Sequence, residues 1–181
     1  TRGLDGDQVG DTQHHGGVDQ AVYAFAREDL DSWATVLGHE IRDGMFAENL
    51  TTVGIDVNEA EVGERWRLGG GDGVLLEVCS VRIPCNDFKN WMGLGGFDNR
   101  AWVKRFTQVG RPGPYLRVLV EGEVRAGDEL TVEHRPGHGV TVSTMFRALT
   151  TDADLLPDLL RVDGPTAQAR AAAERYVAAR V

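Results

Sequence analysis

The sequence predicts a mainly β fold with α elements: a β-barrel carrying peripheral helices and a C-terminal helical appendage. Three observations predict it. Short Val-, Leu- and Ile-rich segments recur between Gly-rich turns, which favours a barrel over a doubly wound sheet. Helical spacing breaks into them only in short stretches. Past residue 139 the character changes to three helical segments, dividing a barrel domain over 1–139 from an appendage over 140–181. A chain of 181 residues with 41% hydrophobic content can form one real core plus a peripheral element of this kind.

Taken in order, the first fifty residues are dense in Gly, Asp and His, and the apolar run Val22 to Phe25 reads as a strand. Arg27 to Leu37 carries Leu30, Trp33, Ala34 and Leu37 at the spacing of one helix face, and Gly38 supplies the stop. Arg65 to Leu68 starts a short strand. Val74 to Ile83 is the strongest strand, entered through Gly69-Gly70-Gly71-Asp72-Gly73 and ended by Pro84. Asp87 to Met92 predicts a helical turn, and Asn99 to Val109 has helical spacing at Trp102, Val103 and Phe106. Tyr115 to Glu121 and Glu129 to His134 are strands across a turn-forming Gly122 to Asp128. Thr141 to Leu149, Thr151 to Val162 and Thr166 to Val181 predict the closing helices, with Thr151 as a cap and Pro165 at a first helical position. The Ala-rich last helix has two places to pack, the barrel or a second subunit in a homodimer.

A net charge of −9 argues against a general nucleic-acid surface, which needs clustered Lys and Arg. An anionic ligand must therefore find a local pocket. No charged-then-apolar leader follows Thr1 and no stretch is long enough to span a membrane, so the expectation is a cytoplasmic protein. The start at Thr1 without a Met suggests a further strand ahead of it. The two cysteines are too few for a disulfide framework or a closed zinc site. A Gly-Lys-Ser/Thr loop and a Gly-x-Ser-x-Gly elbow are both missing from the sequence, and the Gly69 to Gly73 run precedes a strand instead of opening a helix, which excludes P-loop and Rossmann sites.

Cys85 sits just past the strongest strand in Val81-Arg82-Ile83-Pro84-Cys85, either as an accessible soft ligand for a metal or as a small buried apolar residue. Cys79, inside the strand, reads as buried. His14-His15-Gly16-Gly17 with Asp19 offers imidazole and open backbone N–H donors, or simply a polar turn. Glu48-Asn49-Leu50-Thr51-Thr52 offers donors and acceptors to a polar ligand, or satisfies its own backbone.

In sequence order these pieces form a pattern: Leu4-Asp5-Gly6-Asp7, His14-His15-Gly16-Gly17-Val18-Asp19, Met45-Phe46-Ala47-Glu48-Asn49-Leu50-Thr51-Thr52, Val62-Gly63-Glu64-Arg65-Trp66, Arg82-Ile83-Pro84-Cys85, and Gly122-Glu123-Val124 with Ala126-Gly127-Asp128. The pattern resembles the small bacterial MOSC-domain proteins, named for the C-terminal domain of molybdenum cofactor sulfurase, some of which carry a C-terminal three-helix appendage. The resemblance implies a MOSC-type β-barrel, a molybdenum cofactor (molybdopterin) with Cys85 as the metal ligand, and a cofactor pocket drawing on His15, Gly16, Gly17, Asp19, Glu48, Asn49, Thr51 and Arg82. It implies reduction of small N-hydroxylated compounds, with His15 or Glu48 as proton sources beside Cys85. No flavin, haem or iron–sulfur motif occurs, so electrons must come from a separate electron-donating reductase. A carrier that hands cofactor or sulfur to another protein, without catalysis, is the alternative. Two positions depart from the family pattern: Ala47 stands where Gly is usual, and Gln20 where a Lys commonly follows the Asp.

Overall fold

Alternation of apolar and polar residues decides which face of each strand turns inward. The computed structural model describes residues 3–6 and 16–180; His15, one of the expected site residues, lies outside them. Val22–Ala26 (β1) is buried along its whole length, as its unbroken apolar run requires. Arg27–Leu37 (α1) follows at once, buries Leu30 and Trp33, and stops at Gly38, whose left-handed φ of 70° lets its N–H reach the Ala34 carbonyl at 2.9 Å. The chain then returns as Leu50–Thr52 (β2), parallel to β1.

Arg65–Leu68 (β3) and Val74–Val81 (β4) form an antiparallel hairpin. In β4 Val74, Leu76 and Val78 are buried alternately, then the phase slips: Cys79 and Val81 are buried and Ser80 is not. The slip coincides with a register shift against Pro114–Val120 (β5) between Val78 and Ser80. This bulge turns Ser80 and Arg82 away from the buried row. Leu130–His134 (β6) completes a six-stranded sheet in the order β2-β1-β5-β4-β3-β6. Right-handed twist and further register shifts at Arg65/Trp66 and Leu75/Leu76 curl it into a half-barrel.

Between β4 and β5 lie Asn86–Leu94 (α2) and Trp102–Val109 (α3). They contribute Phe88, Trp102 and Phe106 to an aromatic cluster centred on Phe46, whose ring lies 5.1 Å from Phe25, 5.3 Å from Phe88 and 5.7 Å from Trp102. Phe106 also meets Phe146 of Val142–Thr150 (α4) edge-on. Thr141 caps α4 by accepting from the Thr144 N–H, and the Val142 N–H is held by the Ala60 carbonyl, so the closing segment is anchored to the barrel loops.

The second closing helix differs from expectation. Ala153–Arg161 is 3₁₀ rather than α-helical and contains Pro157. Proline has no N–H for an i to i−4 bond, and its ring crowds the preceding turn, so the segment tightens. Thr151 ends α4 instead of capping this segment. In Ala167–Ala178 (α5) the cap is Thr166, which accepts from the Ala169 N–H at 3.4 Å, and Pro165 precedes that cap instead of opening the helix. Ala169 and Ala173 are buried, their small side chains letting α5 approach its neighbours. Apolar core residues run continuously from Ala21 to Ala173, so sheet and closing helices bury a common core. Among the described residues no helix is long and apolar enough to cross a membrane.

Candidate functional site

Pro84 cannot extend the β4 ladder, so the chain leaves the sheet and Cys85 is the last extended residue before α2, with φ −128° and ψ 177°. Its carbonyl accepts from the Lys89 N–H, which leaves the thiol at the start of the helix and half-buried. Cys79 contrasts in every respect. It lies in the bulge, its Sγ donating toward the Asp19 carbonyl at 3.0 Å and near the Tyr115 carbonyl at 3.4 Å. Burial pushes its thiol up to about 12, so it stays neutral and inert.

Cys85 opens on a cavity of about 380 Å³. Gln20, Ser80, Arg82, Ile83 and Tyr115 line it from the barrel, and Leu149, Thr166, Gln168, Ala169, Ala172 and Arg175 from the closing helices. Burial raises the Tyr115 hydroxyl above its ordinary range, keeping it a protonated donor. Arg82 is immobilised: its guanidinium lies 4.1 Å from the Phe88 ring centre and 4.8 Å from that of Tyr23, and one N–H reaches the Phe46 carbonyl at 2.9 Å. Tyr23 is fixed in turn by donating to the Pro112 carbonyl at 2.6 Å, and burial drives its hydroxyl pKa upward.

Several residues singled out in the sequence build the surroundings and do not line this cavity. Glu48 is buried and accepts from the Gly44 N–H at 2.6 Å, the Phe46 N–H at 2.9 Å and the Thr51 hydroxyl at 3.0 Å. It thereby shapes the loop whose Phe46 carbonyl holds Arg82. The Asn49 side-chain oxygen takes the Tyr23 N–H at 2.8 Å, tying that loop to β1. Asp19 pairs with Arg117 at 2.8 Å. Gly16 and Gly17 both have left-handed φ, and the Gly16 N–H donates to Gln20 Oε1 at 3.1 Å, joining their turn to the cavity rim. Gln20, noted in the sequence only as a departure from pattern, is thus a lining residue.

The other departure has a conformational cost. Ala47 holds φ at 59°, a left-handed position where a β-carbon is disfavoured by about 1–2 kcal/mol and Gly is not. Ala47→Gly is therefore expected to stabilise the protein by about 1 kcal/mol, read as a higher midpoint in urea unfolding with an unchanged slope. An unchanged or lower midpoint would show that the loop is not strained there.

Comparison with known proteins bears on this arrangement directly. A family model described as the MOSC domain matches residues 11–131. The chain belongs to the MOSC-domain family. It is similar to the uncharacterized protein YflK of Bacillus subtilis, 30% identical over 159 residues that make up 88% of this chain and 68% of YflK. It is also similar to a protein named reductase from Gibberella moniliformis, 31% identical over 153 residues, 80% of this chain and 26% of that protein. The chain thus spans about a quarter of the fungal relative. The crystal structure of YiiM from Geobacillus stearothermophilus superposes with a TM-score of 0.77 at 22% identity, over 89% of this chain and 80% of that one, which shows a shared MOSC fold. MOSC domains are associated in general with molybdenum-cofactor binding.

Sequence reasoning missed Tyr115, Ser80, Thr166, Gln168 and Arg175. Ser80 and Tyr115 are placed by a bulge that leaves no local mark in the sequence. The three from the closing segment depend on how α5 docks, which the sequence left open between the barrel and a second subunit.

Proposed function

We propose that the chain binds a molybdenum–pterin cofactor through Cys85 and uses it to reduce N-hydroxylated compounds, with electrons drawn from a separate reductase. The observation that carries this reading is the Cys85 thiol opening on a lined cavity while Cys79 is sealed in the sheet. The donor set fits the cofactor. A thiolate is a soft ligand suited to molybdenum. Cys85 supplies one soft protein ligand at this cavity, and a pterin chelate would supply the others. A cavity of about 380 Å³ is within the size range of small-molecule sites.

When bound, the cofactor supplies a two-electron reduction at molybdenum. The chain's own residues bind and orient. Cys85 fixes the metal end, and Gln20, Ser80 and Gln168 offer hydrogen-bonding groups to the ligand at the cavity wall. Tyr115 holds its proton on the phenolic oxygen and can donate a hydrogen bond to a substrate oxygen. Leu149, Ala169 and Ala172 exclude water from one side. The overall reaction breaks the N–O bond, consumes two electrons and two protons, and releases the reduced compound and water.

Protein produced in a cofactor-competent host and supplied with reduced viologen is expected to convert an amidoxime or N-hydroxylated base to its reduced form. Full molybdenum occupancy with no turnover across a panel of hydroxylamines, amidoximes and N-oxides would refute the reductase reading and leave a carrier.

A further inference from the structure

The Cys85 cavity is cationic in an acidic protein. The chain carries 28 Asp and Glu against 19 Lys and Arg, yet among the described residues the charged side chains lining this cavity are Arg82 and Arg175, with no carboxylate beside them. Of these two, Arg82 is committed to the Phe46 carbonyl and to two aromatic faces. Arg175 makes no side-chain hydrogen bond or ion pair with any described residue. Other arginines of the same segment do: Arg170 faces Glu174 at 3.7 Å and Arg180 reaches Asp154 at 3.0 Å. Arg175 is exposed at the mouth of the cavity, with its guanidinium available for a planar, two-point contact to a phosphate or carboxylate. Thr166 and Gln168, at the start of α5, add neutral hydrogen-bonding groups on the same wall.

We propose that α5 completes the Cys85 cavity as an anion-binding site, with Arg175 taking a phosphate or carboxylate group of the molecule that reaches Cys85. The proposal rests on the reading of this cavity as the cofactor and substrate site, and it makes the C-terminal appendage a part of that site. The anion belongs either to the cofactor or to an N-hydroxylated substrate bearing a phosphate or carboxylate, such as a nucleotide in place of a free base. The two lining arginines disfavour a cationic ligand in either case.

Inorganic phosphate is titrated calorimetrically into the full-length, cofactor-free protein at low ionic strength. Arg175→Gln should weaken binding by about fivefold or more, and Arg170→Gln, on the same helix, should leave it unchanged. Equal phosphate affinity in wild type and Arg175→Gln overturns the proposal. Loaded protein then distinguishes the source. A KM raised by Arg175→Gln for a phosphorylated N-hydroxy substrate but not for its neutral counterpart, at unchanged pterin content, assigns the anion to the substrate. A reduced pterin content with unchanged KM values assigns it to the cofactor. Arg175-dependent phosphate binding in a protein that retains no molybdenum would sink the cofactor reading and leave the anion site standing.

Discussion

Phe46→Ala is expected to destabilise the protein by about 3–5 kcal/mol, lowering the thermal midpoint by roughly 10 °C for a chain of this size. The Phe46 ring is fully buried and touches side chains from four separate places: Phe25 in β1, Trp33 in α1, Phe88 in α2, and Trp102 and Phe106 in α3. Removing it leaves a cavity bounded by elements that are braced by one another and cannot collapse inward together. The same residue offers its carbonyl to Arg82, and its ring supports Phe88, on which that guanidinium stacks. Thermal unfolding of the cofactor-free protein checks the prediction. A loss below about 1 kcal/mol would show that the loop carrying Phe46 is not the keystone of the cluster.

The fold was legible where one physical signal dominated. Arg27 to Leu37 had helical spacing and a glycine stop, and the structure forms α1 over those residues and ends it at a left-handed Gly38. Val74 to Ile83 had β-branched density and a proline end, and β4 runs to Val81. The helix expected over Thr151 to Val162 forms over Ala153–Arg161, but Thr151 ends the preceding helix instead of capping this one, and Pro157 leaves the segment in the tighter 3₁₀ form. The site was legible in part. Arg82 lies at the end of the strand expected over Val74 to Ile83 and Cys85 just past it, and both line the cavity. Glu48, Asn49 and Thr51 carry the right chemistry for a ligand, but Glu48 accepts from Gly44, Phe46 and Thr51 and the Asn49 side-chain oxygen accepts from the Tyr23 N–H. Sequence pattern alone does not distinguish a residue that touches a ligand from one that positions its neighbours. Arg175 was hidden for a different reason, since its role depends on long-range docking of α5.

Cys85→Ser is expected to reduce molybdenum retention by at least about tenfold, the lower end for loss of a group that orients or holds a metal ligand. The fold should survive, because the residue is half-buried and its backbone, not its side chain, bonds to Lys89. Cys79→Ser is the matched control. Its hydroxyl would find the Asp19 and Tyr115 carbonyls that the thiol now faces, so no buried donor is stranded. The decisive measurement is the molybdenum-to-protein ratio of wild type, Cys85→Ser and Cys79→Ser, purified in parallel from a molybdenum-replete, cofactor-competent host. The account predicts molybdenum in wild type and Cys79→Ser and its loss in Cys85→Ser. Equal molybdenum in all three, or equal loss in both variants with the fold intact, would contradict Cys85 as the metal ligand.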